Sequence, residues 1–211
     1  MNRLLRWLFY AVIVRFVVLI VLGLNVRHRE RLPSEGPAII VGNHNSHLDT
    51  MVLFTLLPLR QLGRVRAAAA MDYFLRNRFL AWFATQIVGI VPVARKGDGA
   101  GDPLAGCSEA LERGEILIFF PEGSRGEPER LGRFKRGIAL LAERHPEVPV
   151  VPVYMHGLGK ALPKGEGLLV PFFCDVYVGQ ALKGAEQGDF TAALQTAMSA
   201  LMDEGGYIPW E

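Results

Sequence analysis

Short apolar runs recur along this chain with amphipathic stretches between them, and that alternation restricts the fold more than any other feature. Runs at 37–41, 65–70, 87–93, 116–120, 148–154 and 168–178 have the length and β-branched content of buried strands. Stretches at 48–57, 73–85, 103–113, 136–144 and 190–202 carry helical spacing of apolar residues. Gly42 closes the first run and Pro58 stops the helix that follows it. Asp102-Pro103 supplies a helix start and Gly114 a stop. Strands alternating with helices predict a single α/β domain with a mostly parallel or mixed sheet flanked by helices. A chain of 211 residues fits one such domain, and no internal repeat or long linker suggests a second.

The N-terminus is a different kind of sequence. Half the chain is hydrophobic and the mean hydropathy is +0.22, with the excess concentrated between Trp7 and Leu24. Thirteen Leu, Ile, Val and Phe residues there favour insertion into a bilayer by about 4 to 8 kcal/mol. Arg15, in the middle, opposes this by about 2.5 to 3.5 kcal/mol. The balance predicts a membrane-associated helical segment, either spanning or lying tilted with Arg15 reaching the headgroups; a hairpin packed on the domain is the alternative. Arg27, His28, Arg29 and Arg31 follow, suited to anionic headgroups at the cytoplasmic face of the cell membrane. The expected organisation is therefore an anchor at 1–31 and a domain at 32–211, with the chemistry surviving removal of the anchor. No small-residue cleavage site follows the apolar run, which argues against a secreted precursor. A net charge of +2 gives no general signal for nucleic acid. Cys107 and Cys174 are too few and too far apart for a disulfide framework.

Two motifs carry chemistry. The first is Asn43-His44-Asn45-Ser46-His47-Leu48-Asp49, between a strand and a helix. Inside one regular helix His44 and Asp49 would lie about 140° apart, too far to pair. With His44 in the turn and Asp49 in the first helical turn they converge, a carboxylate orienting one imidazole nitrogen while the other accepts a proton. Asp49 also fits a capping box with Ser46, and the two roles are compatible. Backbone amides at the start of that helix are candidates for stabilising an oxyanion. His44, His47 and Asp49 are crowded enough to suggest a metal, but the spacing is not that of a zinc helix. The second motif is Phe120-Pro121-Glu122-Gly123-Ser124-Arg125, at the carboxyl end of a strand, where α/β sheets place ligands. Glu122 stands where a serine-hydrolase elbow needs glycine, which disfavours a nucleophilic role for Ser124. Lys135 precedes the next helix as a candidate for holding an anion, whereas Arg130, Arg133 and Arg136 read as a solvated charged loop.

With these blocks in order, the chain resembles the glycerolipid acyltransferases typified by 1-acylglycerol-3-phosphate acyltransferase, from about residue 32 to residue 179. Asn43 to Asp49 matches the family's first block, Gly89 to Arg95 its second, Phe120 to Arg125 its third and Val148 to Val153 its fourth. The resemblance implies His44 as base and Asp49 as its orienter. It implies Arg95, Glu122 and Arg125 in contact with the acceptor; Gly123 and Ser124 complete the same substrate-binding turn, and Lys135 is the candidate substitute for the cation absent at Ala70. The resemblance also implies acyl-CoA or acyl-carrier protein as co-substrate, no metal or other cofactor, and a lysolipid acceptor drawn from membrane lipids. Family members acting on lysophosphatidic acid often carry lysine at the position of Ala70, two residues before Asp72. Lysophosphatidic acid remains the first expectation, with lyso-ornithine lipid or another lysophospholipid next. A non-catalytic lipid-binding module and a hydrolase are the alternatives from other classes.

Overall fold

The computed structural model describes residues 2–46, 48–71, 77–94, 101–127, 129–162 and 170–207. Seven strands form one mixed sheet: β1 (Leu24–Arg27), β2 (Ala38–Gly42), β3 (Val65–Ala70), β4 (Ile90–Val93), β5 (Ile116–Phe119), β6 (Val150–His156) and β7 (Cys174–Val178). Their order is β1-β7-β6-β2-β5-β3-β4. The five strands from β6 to β4 run parallel, β7 runs antiparallel to β6, and β1 pairs parallel with β7. Every residue of β2, at the centre, is buried. A strand covered on both faces reads as an unbroken apolar run, which is why this element is visible in sequence.

The two faces have separate cores. An N-terminal helix, α1 (Arg3–Leu8, continuing through wider turns at Phe9–Val14 and Val17–Val21), and α2 (Leu48–Leu56) cover one face. The short α3 (Arg78–Trp82) leads into Phe83–Val88 on the same side. On the other face lie α4 (Ala105–Glu112), α5 (Gly137–Arg144) and, after the short α6 (Leu158–Ala161), the last helix α7 (Phe190–Glu204). Adjacent strands β2 and β5 therefore send their connections to opposite faces: α2 packs on the first face and α5 on the second. Their carboxyl ends flank a topological switch point, the place where open α/β sheets form a ligand crevice.

The N-terminal segment departs from expectation. Among the described residues no helix is long and apolar enough to cross a membrane. Instead the segment lies on the sheet through a stripe at every fourth residue: Arg6, Tyr10, Val14, Val18 and Leu22, each at most 4% exposed. A regular α-helix overshoots by about 40° every four residues, so such a stripe would wind off its face within the segment. Turns closed by i→i+5 bonds hold more residues and rotate the opposite way, and alternating them with α turns keeps the stripe aligned. The Arg6 guanidinium donates to Val65 O at 2.8 Å and lies over the Tyr10 and Phe54 rings, while Tyr10 Oη donates to Val88 O at 3.1 Å. Burial pushes the Arg6 guanidinium down to about 10 from its ordinary 12.5. Gly89, with φ of +88°, makes room: a Cβ there would stand 2.5 Å from Arg6 Nη2. Strand β1 follows directly and pairs with β7, so the fold begins ahead of residue 32.

Candidate active site

His44 leaves the end of β2 at the switch point, and its turn is fixed before any side-chain chemistry is considered. Asn43, 1% exposed, donates through Nδ2 to Met155 O at 2.8 Å and accepts from Met155 N at 2.7 Å. The amide thus continues the ladder between β2 and β6 for one step past the strand. The His44 ring stacks on Phe120, centroids 4.2 Å apart and planes 20° apart. Its Nδ1 lies 2.9 Å from Asp49 Oδ2. The histidine side chain is 20% exposed and the carboxylate 1%.

Asp49 is both orienter and cap. Its Oδ2 also accepts from Asn45 N at 2.7 Å and Ser46 N at 2.8 Å, while Ser46 Oγ accepts from Leu48 N at 3.3 Å. Burial pushes the Asp49 carboxyl above its ordinary range, opposed by His44 and the two amides. Any proton on Asp49 must sit on Oδ1, because Oδ2 already faces two N–H groups. Nδ1 of His44 is therefore the donor in either state of Asp49, an orientation that in a neutral imidazole leaves the lone pair on Nε2. The amides of Asn45, Ser46 and Leu48 are engaged here, which removes those three from the amides expected to hold an oxyanion.

The loop after β5 closes on His44 from the other side. Glu122 Oε1 accepts from His44 N at 3.1 Å, and Gly126 N donates to His44 O at 2.8 Å. Glu122 is 6% exposed, and burial raises its carboxyl above the ordinary 4.5. A raised folded-state value means that the stability this group contributes is complete below pH 4.5 and is lost as pH rises through the folded value. Glu122→Gln keeps an acceptor for the His44 amide and removes the ionisation. Denaturant melts between pH 4 and pH 8 should show the variant gaining on wild type as pH increases; parallel curves would contradict the assignment.

The predicted site residues fall into three groups. His44, Asp49 and Glu122 converge through direct contacts. Gly123, with φ of +69°, Ser124 and Arg125 form the turn beside them, Gly123 and Ser124 exposed and Arg125 half-buried. Lys135 joins this group: its backbone N donates to Pro121 O at 2.8 Å, and a Cβ on Gly123 would stand 2.8 Å from its Nζ. Arg95, His47 and Asp72 lie outside the described residues. Among the described residues no three His, Cys, Asp or Glu side chains gather as a metal site. Sequence reading passed over Asn43 and Phe120 as working parts, although both adjoin the motif residues. It also placed Arg29 and Arg31 among the headgroup contacts. The structure instead has Arg29 donating to Leu56 O at 3.0 Å and Arg31 to Val178 O at 3.0 Å.

A histidine paired with a buried carboxylate at the switch point, its backbone held by a second carboxylate, is an arrangement able to move a proton in a group-transfer reaction. The acyltransferase family profile matches residues 23–156, and the chain belongs to that family. A chloroplastic 1-acyl-sn-glycerol-3-phosphate acyltransferase of Arabidopsis thaliana is 37% identical over 149 residues, 69% of this chain and 40% of the plant protein. The human 1-acyl-sn-glycerol-3-phosphate acyltransferase alpha is 28% identical over 155 residues, 72% of this chain and 52% of its own. The chain thus spans two fifths to about half of these relatives. The crystal structure of the 1-acyl-sn-glycerophosphate acyltransferase of Thermotoga maritima shares the fold, with a TM-score of 0.77 at 18% identity, covering 99% of this chain and 81% of that one.

Proposed function

We propose that this protein transfers an acyl group from an acyl-thioester, carried by CoA or acyl-carrier protein, to the free hydroxyl of 1-acylglycerol-3-phosphate in phospholipid synthesis. The observation that carries the reading is the His44–Asp49 pair, with the His44 backbone held at both its N–H and its carbonyl by the loop after β5. Nε2 of His44 takes the acceptor's hydroxyl proton as its oxygen attacks the thioester carbon. The carbon–sulfur bond then breaks and the thiolate leaves with that proton, giving ester and free thiol. Asp49 stabilises the imidazolium formed between these steps. The thioester is already activated, so the reaction needs no covalent intermediate. Measuring free thiol with acyl-CoA and a lysolipid panel tests the assignment: release without acceptor would indicate a hydrolase, and no release a binding module. Asp49→Asn retains an oxygen for the two amides but not the charge. It should cost about 1 kcal/mol of stability and about 10²-fold or more of turnover. Near-normal turnover would leave Asp49 as a cap only.

The substrate named for these relatives, a glycerol phosphate monoester, favours a phosphate-bearing acceptor, and Lys135 beside Gly123 supplies a cation where Ala70 does not. Lys135→Gln should raise KM for a lysolipid with a phosphate monoester more than for a zwitterionic lysophospholipid. Equal changes would remove Lys135 from phosphate recognition and favour another lysolipid, lyso-ornithine lipid included.

The same reading places the protein at the cytoplasmic face of a membrane. The N-terminal helix turns one face to the core and the other outward, where Val12, Ile13, Phe16, Leu19 and Ile20 are each at least half exposed. A contiguous apolar face of this kind suits burial in the headgroup boundary. Exchanging Val12, Phe16 and Ile20 for serine should release the protein from anionic vesicles in flotation assays while sparing turnover of a short-chain soluble acceptor. Unchanged vesicle binding would put the membrane contact elsewhere.

A further inference from the structure

Beyond the His44 pair, the structure holds a second histidine–carboxylate pair at the same end of the sheet, one strand away. His156 ends β6, 8% exposed, and its Nδ1 lies 2.7 Å from Glu129 Oε2. That oxygen also accepts from Gly157 N at 2.9 Å. The Glu129 side chain is 6% exposed, and its backbone sits at φ of +60°, a left-handed conformation that a residue with a Cβ adopts only when its surroundings impose it. The His156 ring is stacked on Tyr207, centroids 3.5 Å apart and planes 6° apart. The Tyr207 hydroxyl donates to Asp175 Oδ2 at 2.7 Å, and Asp175 Oδ1 accepts from Asn25 Nδ2 at 2.8 Å. This network ties β6, β7, β1 and the chain after α7 into one polar cluster.

Glu129 matters because of the loop it belongs to. Residues 121–136 carry Glu122, Ser124 and Arg125, and are fixed at one end by Glu122 and Gly126 on the His44 backbone. We propose that Glu129 and His156 are positioning residues: they form the second anchor of this loop and hold its acceptor-facing turn in register with His44. The proposal rests on the acyl-transfer reading for its functional consequence and on geometry for the anchor itself. A buried charged or polar pair adds little stability compared with an apolar one, whereas it fixes direction and register. The carboxylate joins both the His156 ring and the Gly157 backbone, so the loop is aligned to β6 at two atoms. Neither residue touches the reacting atoms in this arrangement.

The test uses the full chain with Glu129→Ala, Glu129→Gln and His156→Ala. Kinetics with acyl-CoA and lysophosphatidic acid are combined with hydrogen exchange and thermal melts. Both alanine variants should raise the acceptor KM about ten-fold, with donor KM and kcat within about two-fold. Exchange should speed up in peptides covering 121–136 while those of β2 and β5 stay protected. Glu129→Gln should restore near wild-type values, because its amide oxygen can take the place of Oε2 between Gly157 N and His156 Nδ1. A glutamine variant as impaired as alanine would replace positioning by a charge effect and overturn the proposal. So would a fall in kcat and melting temperature with KM unchanged, the mark of a merely structural pair, or a loosened loop with unchanged kinetics. Should wild type turn over no lysolipid, the acceptor reading fails by itself. Exchange then decides the anchor alone, and no selective loosening of 121–136 overturns it.

Discussion

His44→Ala should lower acyl transfer by roughly 10²- to 10⁴-fold, the range that a positioned base contributes. The fold should barely respond. The ring stacks on Phe120 and contacts Asp49, but the turn is held by backbone and by Asn43, none of which the substitution removes. The variant does leave Asp49 with one donor fewer, so its stability should fall by about 1 kcal/mol. Turnover by thiol release, set beside a denaturant melt of the same preparation, separates the two effects. Retention of more than a few per cent of wild-type turnover would sink the base assignment, whatever the melt shows.

Deleting residues 1–26 should abolish folding. Expected from sequence alone, such a truncation would detach an anchor and spare the chemistry; the structure reverses that expectation. Val14, Val18 and Leu22 are each buried to 4% exposure or less, and losing their burial costs roughly 5 to 9 kcal/mol. That is comparable with the whole stability of a typical domain. The deletion also takes Arg6 from Val65 and most of β1 from β7. Circular dichroism and turnover on a short-chain soluble acceptor should both be lost. A folded, active truncated protein would show that the stripe is dispensable and that the segment is an anchor after all.

The central strands were legible because they are buried on both faces, and nothing interrupts the apolar reading of β2 and β5. His44 and Asp49 were legible because their five-residue spacing makes sense only across a strand-to-helix turn, which is where they lie. Other elements were obscured for identifiable reasons. Strand β1 directly follows an apolar stretch and, with an alternating half-exposed pattern, gives no boundary of its own. The N-terminal helix is apolar on both its core and outer faces, so its stripe is hidden in a continuous run. The run at 87–93 reads as one strand, but helical turns continue to Val88 and the strand begins at Ile90, after the left-handed Gly89. Within the described part of the run at 168–178, residues 170–178, the strand is Cys174–Val178. Glu129 and His156 meet from a loop and a strand end, a contact that no periodicity announces.

The clamp on His44 also sets a time order. His44 and Asp49 are five residues apart and can meet as soon as α2 exists, but the carboxylate that holds the His44 amide comes from a residue 78 positions later. At ordinary rates of synthesis that interval is roughly 4 to 16 s. Until β5 has inserted beside β2, the growing chain has a histidine and a carboxylate but no fixed place for an acceptor or a thioester. On the acyl-transfer reading, the growing chain therefore cannot spend acyl donors before the sheet closes and completes the His44 turn.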